Sequence, residues 1–388
     1  MELKVREGLV AIHARHRDDA EWQCPDCAKA APPLDHVKQR VWRHLDSCQL
    51  KTFMHAWIPS VRFERHGVRQ VKVPWALPGS RFTALMERMI IDVIHQCSTL
   101  GGACAVMRVS WDEASGVMNR AVQRGLSRRQ ADVVRHIGVD EKAFCKGHSY
   151  MTIVSDLENA TVQYVGVNRT AESLAGYYAG LTAEQRGGIE AVAMDMWEPF
   201  VKATRQGLPL SQEKIVFDRF HIIKQINGAV DKVRLAEHRE MSSWGCGLLK
   251  GTKHMWLYGK ENLPEKYRRD FAVVKDANLR TARAWAIKET LRELWSQKTK
   301  PAAGKFFGDW FGWAKRSQLT PVKKVADMIK SSLASVLNYF GHRITNDVAE
   351  GLNSRIMTIK RKCCGFRSTD NFKTAIYFHC GALNLYPQ

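Results

Sequence analysis

The sequence predicts a multidomain α/β protein: a mixed-sheet core with an all-helical insertion inside it, and two small modules ahead of it. Three observations lead there. Between residues 134 and 217, short β-rich runs alternate with helical segments. From about 230 to 340 the strands give out and Lys- and Arg-rich helical segments take over. Before 134 the pattern changes at a Pro/Gly-rich break, from short polar and aromatic stretches to helical periodicity.

At 388 residues the chain is long enough for two or three separate cores, and 45% apolar content makes it globular. Lys and Arg outnumber Asp and Glu by 59 to 39, for a formal net charge of +20, which calls for a polyanionic partner. Each phosphate that a base neutralises releases counterions, so affinity should fall with salt at a log–log slope of roughly 0.9 per contact. Charge alone does not separate nucleic acid from an acidic membrane surface. No apolar run, however, approaches the roughly 18 residues needed to cross a bilayer. The start, Met1-Glu-Leu-Lys-Val-Arg-Glu7, has no apolar signal region, and ten cysteines in a chain this size do not make a secreted disulfide framework. A reduced, cytoplasmic, nucleoid-associated protein without a membrane partner is the expectation.

Taken in order, residues 1–80 carry Cys24-Pro-Asp-Cys27 and close on Pro74-Trp-Ala-Leu-Pro78-Gly79, a boundary composition. Residues 81–133 read as helices. Phe82, Leu85, Met86, Met89, Ile90, Val93 and Ile94 recur at helical spacing. Ser110-Trp-Asp-Glu113 has the form of a capping box, opening a helix with Ala114, Val117, Met118, Ala121 and Val122 on one face and Gly125 at its end. With Arg120, Arg124, Arg128 and Arg129 this segment suits a DNA-binding helix-turn-helix; an ordinary linker bundle fits the pattern equally well.

From 134 the rhythm is that of strands. Runs 134–140, 149–155 and 161–167 are β-rich, and Asp156-Leu-Glu-Asn159 between the last two is a hairpin turn. A helix from Thr170 to Gly180, strand 190–195, helix 197–206, strand 214–217 and a helix from Arg219 follow. Three strands followed by α, β, α, β, α is the element order of an RNase H-like fold. The core is therefore assigned to 134–388, with the helical insertion at about 230–340. Trp244, Trp256, Trp285, Trp295, Trp310 and Trp313 are read as packing within the insertion.

Asp140 closes the first run, Val134-Arg-His-Ile-Gly-Val-Asp140, and Asp195 closes Glu190-Ala-Val-Ala-Met-Asp195. Glu350 lies in a predicted last helix, Ile344 to Lys362, roughly opposite the apolar stripe Val348, Leu352, Ile356 and Ile359, beside Arg343, Asn346, Asn353, Ser354 and Arg361. The helical wheel suits a solvated glutamate as well as a metal ligand. Phosphodiester chemistry needs hard oxygen donors for two Mg²⁺ (or Mn²⁺) ions about 3.5–4 Å apart, so Asp140, Asp195 and Glu350 are the catalytic and metal-ligand candidates. Asp218 is read as the cap of the helix from Arg219, His221 as packing or as support for Asp195, and Asp156 and Glu141 as turn and surface residues.

The blocks Ile137-Gly-Val-Asp140-Glu, Ala193-Met-Asp195-Met, Phe217-Asp218-Arg-Phe-His221, Thr345-Asn-Asp-Val-Ala-Glu350-Gly-Leu-Asn353 and Ile359-Lys-Arg-Lys-Cys-Cys-Gly-Phe366-Arg resemble bacterial insertion-sequence transposases of the ISL-three family. Trp42-Arg-His-Leu-Asp46 and Pro74-Trp-Ala-Leu-Pro-Gly79 extend the likeness over most of the chain. The resemblance implies that Asp140, Asp195 and Glu350 are a DDE triad that cuts and joins DNA. It also implies a zinc-ribbon-like module at 1–80 and a helix-turn-helix at 81–133 that reads terminal inverted repeats. The partners would be the element's ends and target DNA, held by a homodimer or larger assembly. Arg120, Arg124, Arg128, Arg343, Lys360, Arg361, Lys362 and Arg367 are the candidate DNA contacts. For zinc the resemblance offers Cys24, Cys27 and His66, but Phe63 stands where the family places a third cysteine. Structural zinc wants four ligands, so either Cys48 or His44 substitutes, or a water fills the site, or the module is weakened. The rival readings are a non-catalytic DNA-binding protein derived from a degenerate transposase, and a junction-resolving or RNase H-type nuclease.

Overall fold

A computed structural model of the chain describes residues 2–4, 8–17, 20–30, 32–35, 39–63, 65–97, 99–130, 132–145, 147 and 149–388. These fall into two units, Met1–Gln130 with Met357–Gln388, and Ala131–Ile356.

Among its described residues the first unit begins with seven strands: β1 (Glu2–Lys4), β2 (Leu9–Ala14), β3 (Pro33–Asp35), β4 (Gln39–Ser47), β5 (Leu50–Trp57), β6 (Ser60–Phe63) and β7 (Gly67–Gln70). They form two sheets, β1-β2-β5-β4 and β3-β6-β7. Three helices follow, α1 (Ala84–Cys97), α2 (Leu100–Met107) and α3 (Trp111–Ser127). The expected capping box is present, with Ser110 accepting from the Glu113 N–H and Glu113 from the Ser110 N–H. Met86, Ile90 and Ile94 are buried with Ala114, Val117, Met118, Ala121 and Val122. Leu85 and Met89 face solvent instead, while Ile91, on the other flank of the Met86–Ile90–Ile94 stripe, is fully buried.

The second unit holds the mixed sheet. Its strands are β8 (His136–Cys145), β9 (Ser149–Asp156), β10 (Thr161–Val167), β11 (Ala191–Met194) and β12 (Ile215–Phe217), in spatial order β10-β9-β8-β11-β12. β8, β9 and β10 make an antiparallel meander, while β11 and β12 run parallel to β8. The turn after β9 closes as its composition required, the Asp156 carboxylate accepting from the N–H groups of Glu158 and Asn159 at 2.8 and 3.0 Å. Asp156 itself is buried, so it is a turn residue but not a surface one. Helices α4 (Ala171–Ala179), α5 (Ala183–Gly188), α6 (Glu198–Gly207) and α7 (Ser211–Lys214) lie between the strands in sequence.

After β12 the chain is helical throughout: α8 (Arg219–Ser243), α9 (Lys253–Leu257), α10 (Glu265–Asp276), α11 (Arg280–Arg292), α12 (Lys300–Arg316), α13 (Thr320–Ser331), α14 (Leu333–Leu337) and α15 (Tyr339–His342). Trp256, Trp285, Trp295 and Trp310 are buried, in keeping with a packing role. Trp244 and Trp313 are exposed and do not share it. The core is continuous from the sheet (Ile137, Val192, Phe217) through α8 to the helices around Trp310.

The last helices are α16 (Asp347–Lys362) and α17 (Thr369–Cys380); the division between the units falls within α16. In the first unit the segment after α17 is tied to α3, with Arg124 and Arg128 donating to the carbonyls of Leu385 and Tyr386.

Candidate active site

The carboxylates of the second unit line up because of strand register. In the parallel half of the sheet Val139 pairs with Met194, and Met194 with Phe217. The next residue on each strand is an aspartate: Asp140, Asp195, Asp218. Val139, Met194 and Phe217 are buried, so the residues that follow turn to the other side of the pleat at the carboxyl edge of the sheet. Ligand sites in open parallel sheets collect at that edge.

Carboxylate oxygens of Asp140, Glu141 and Asp195 lie within 4.8 Å of one another, as do ligand atoms of Asp195, Asp218 and His221. Burial pushes the Asp140 carboxyl up, against the pull of Lys142 at 3.6 Å and with a further push from Asp195. Burial likewise raises Glu141, helped by Asp140 and Asp195. Asp218 is raised to about 6, chiefly by burial, although the Phe220 N–H it caps at 3.1 Å and the nearby His221 draw it down. Burial lowers His221, but its close contact with Asp195 (Nε2 to Oδ1, 2.8 Å) and the charges of Asp195 and Asp218 outweigh that and leave it raised.

Glu350, on α16, lies outside both of these ligand clusters. It is exposed, and its charge is felt at Asp218. Its helix is fixed over β8 by two buried asparagines one turn to either side. Asn353 donates from Nδ2 to Asp140 Oδ2, and Asn346 packs on Gly138. Residues three and four apart on a helix share a face, so Asn346, Glu350 and Asn353 present one side together. The close approach needs glycine at 138: a Cβ there would meet Asn346 Oδ1 and Leu157 Cδ2 at 2.8 Å and Ala349 Cβ at 3.1 Å. The face that a helical wheel marks as polar is therefore turned to the sheet edge.

Sequence reasoning missed Glu141 and Asn353 as members of this cluster. From sequence Glu141 reads as a surface residue, and alternation along a strand gives no reason to bring it together with Asp140. Pairing of β8 with β11 ends at Val139, however, and beyond it both carboxylates reach the open strand edge. The donor set suits a hard divalent cation: three carboxylates converge, and the buried Oδ1 atoms of Asn346 and Asn353 accept no hydrogen bond.

A second cluster lies in the first unit, where ligand atoms of Cys24, Cys27 and His66 fall within 4.8 Å of one another and Cys24 Sγ is 3.4 Å from His66 Nδ1. Burial raises the Cys24 thiol, yet the Asp26 N–H, the His66 ring and the Cys27 N–H and thiol bring it down to about 7. Cys48 is not in this group; it is exposed in the β4–β5 turn with φ at +50°. His44 is engaged by Thr83 Oγ1 at 2.8 Å. The Phe63 side chain lies outside the described residues. Among the described residues the set has three donors, so neither cysteine nor histidine expected as a fourth ligand joins it.

The basic candidates divide. Arg120 and Arg124 are turned to the buried Glu87, and Arg124 and Arg128 to the carbonyls of Leu385 and Tyr386. Arg343, with φ at +54°, donates to the Lys298 carbonyl at 2.8 Å and stacks against Tyr339 and Phe340. Lys360, Arg361 and Lys362 form the basic last turn of α16, and Arg367 lines a cavity of about 470 Å³ in the first unit with Trp111, Phe366 and Asn371.

Comparison with known proteins adds to this geometry. A family model described as "Transposase", of the ISL3 family, matches residues 137–376, and a model for the "Helix-turn-helix domain of transposase family ISL3" matches 71–122. The transposase for insertion sequence element IS1557 of Mycobacterium tuberculosis is 25% identical over 386 residues, covering 92% of this chain and 86% of that protein. The transposase for insertion sequence element IS1001 of Bordetella parapertussis is 21% identical over 355 residues, covering 90% and 86%.

Proposed function

Since the chain belongs to the ISL3 family of DNA transposases, we propose that Asp140, Asp195 and Glu350 are its DDE triad, set in an RNase H-like core. The observation that carries this reading is the register-matched row at the sheet edge, with Asp140 and Asp195 in one oxygen cluster and Glu350 on the helix that Asn353 ties to Asp140. The strand order, with an antiparallel meander on one side of β8 and two parallel strands on the other, supports the core assignment.

Asp140, Asp195 and Glu350 would hold two Mg²⁺ or Mn²⁺ ions, which would neutralise the scissile phosphate and activate the attacking water or 3′-hydroxyl. The protein's own part is orientation. The Glu141 N–H (2.7 Å) and the Asn353 amide fix the Asp140 carboxylate, and His221 fixes Asp195. Glu141, beside both, is a further oxygen donor within reach. Raised carboxyls at Asp140 and Glu141 mean that activity rises with pH through the acidic range.

The substrate on this reading is the element's terminal inverted repeats. Hydrolysis leaves a 3′-hydroxyl, and that hydroxyl attacks a phosphodiester of target DNA. The helix-turn-helix reads the ends, the Cys24–Cys27–His66 module at 1–80 carries structural zinc, and Lys360, Arg361, Lys362 and Arg367 contact phosphates. The helix-turn-helix spans 81–133 and the catalytic domain 134–388, with its insertion at about 230–340. Two ends must be paired, so the working form is a dimer or larger on nucleoid DNA.

The test replaces Asp140, Asp195 and Glu350 singly by Ala. Nicking of a supercoiled plasmid carrying the inverted repeats, and strand transfer from pre-cut ends, should each fall by at least about 10²–10³-fold while gel-shift binding of the ends is kept. Wild-type cleavage by any of the three removes that residue from the triad. Hydrolysis without strand transfer in the wild-type protein would favour a plain nuclease.

A further inference from the structure

Two large aromatic side chains stand exposed beside the acidic row, in equivalent places. Trp197 lies two residues beyond Asp195 and Phe220 two beyond Asp218, each at the start of the helix that follows its strand. Trp197 is 38% and Phe220 56% exposed, while their helix neighbours Phe200 and Ile222 are fully buried. The core is thus served without these two rings.

Trp197 is nevertheless held in place. Its Nε1–H donates to the Arg169 carbonyl at 3.1 Å, and the Arg169 guanidinium lies over its ring at 4.8 Å from the centroid. The same guanidinium lies over Tyr150 at 4.2 Å and faces the Glu141 carboxylate at 3.6 Å. The backbone before Arg169 is pinned as well: Asn168, left-handed at φ +69°, donates its N–H to the Tyr150 carbonyl (2.8 Å), and its own carbonyl accepts from Thr152 Oγ1 (2.7 Å). One face of the indole is therefore backed by a fixed cation that reaches the carboxylate cluster, and much of the ring remains open to solvent.

We infer that Trp197 and Phe220 are stacking platforms for nucleotides held unpaired next to the scissile phosphodiester. The inference rests on the reading of the acidic row as the cleavage site. Every base offers a π-face, so a fixed aromatic ring holds an unstacked base without demanding a sequence. Apolar side chains inserted at base steps unstack and kink a duplex, which presents the backbone at the kink to a sheet edge such as this one. A preorganised ring loses little conformational freedom on binding, and a guanidinium behind it strengthens the stack.

The experiment measures cleavage by Trp197→Ala, Phe220→Ala and Trp197→Phe on two versions of the inverted-repeat duplex. One is fully paired; the other has mismatches at the nucleotides flanking the cut. On the paired duplex the alanine variants should cut roughly 10- to 100-fold more slowly, and Trp197→Phe much nearer the wild type. On the mismatched duplex the alanine variants should recover, because the unpairing is already done. Without divalent cations, thymines at the cut boundary should become permanganate-reactive with wild-type protein and not with Trp197→Ala. Equal slowing on both duplexes, or no slowing at all, overturns the inference and leaves the rings a structural or protein-docking role. Failure of the wild-type protein to cut the paired duplex would instead overturn the catalytic reading beneath it.

Discussion

Replacing Asp218 by Asn should stabilise the metal-free protein, and only above mildly acidic pH. Asp218 is 6% exposed, sits next to Asp195 in the register-matched row and has a carboxyl raised from 3.8 to about 6. A folded-state value above the unfolded one means that the folded state holds its proton more tightly. Below about pH 3.8 the group is protonated in both states and costs nothing. Between 3.8 and about 6 the unfolded state gives up its proton first, so stability falls as pH rises, and the loss is complete above about 6. At about 1.4 kcal/mol per tenfold change in proton affinity, the ionised carboxylate costs the fold about 3 kcal/mol, which solvent screening trims to about 2.

Asparagine is the right probe because it keeps the shape and still caps a helix, so the bond to the Phe220 N–H survives. For a unit of this size about 2 kcal/mol corresponds to roughly 4–8 °C in Tm. Scanning calorimetry of chelator-treated protein should show wild type and Asp218→Asn melting together at pH 3.5 and separating through pH 4–6, with the variant higher at pH 7.5. A variant that melts below the wild type at pH 7.5, or a difference independent of pH, would refute the claim that burial of this carboxyl strains the metal-free site.

Gly138→Ala should push α16 off β8, because the new Cβ would come within 2.8 Å of Asn346 Oδ1 and Leu157 Cδ2. We expect a loss of about 1–3 kcal/mol in urea unfolding together with slower cleavage, whereas wild-type behaviour in both would show that the approach is not tight. Purified protein should carry about one equivalent of zinc by elemental analysis, and Cys24→Ser should release it, since Cys24, Cys27 and His66 share one ligand cluster. Less than half an equivalent in the wild type would count against the zinc module.

What the sequence revealed and what it withheld divide along a physical line. Strands 149–155, 161–167, 190–195 and 214–217 and the helices between them were legible because local pattern decides them: β-rich runs, a turn composition at Asp156–Asn159, and caps at Ser110 and Asp218; the first strand was found but does not close at Asp140, since β8 runs on to Cys145. Asp140 and Asp195 could be picked out of 39 acids only because each ends such a run. The partners of Arg120 and Arg124 were not legible, because net charge says nothing about a single buried acid, and Glu87, in the middle of an apolar helix face, gives no local sign that it will engage them. Glu141 was set aside for the complementary reason. Where a neighbouring strand stops is a property of pairing, and no residue on β8 announces that β11 ends at Met194.

Glu350 shows the limit most clearly. A wheel drawn for α16 gives an apolar stripe and a polar face, and a polar face on a terminal helix is ordinarily the wet one. Here the two asparagines that flank Glu350 on that face are buried, one against Gly138 and the other on the Asp140 carboxylate. Buried amides call for partners, and Asn353 finds one in the Asp140 carboxylate. The helix therefore spends both of its faces on packing: Leu352 and Ile356 on the core, Asn346 and Asn353 on the aspartate edge. Asparagine at both 346 and 353, one turn before and one turn after an acid, is the feature in the sequence that separates a face turned to a polar site from a face turned to water.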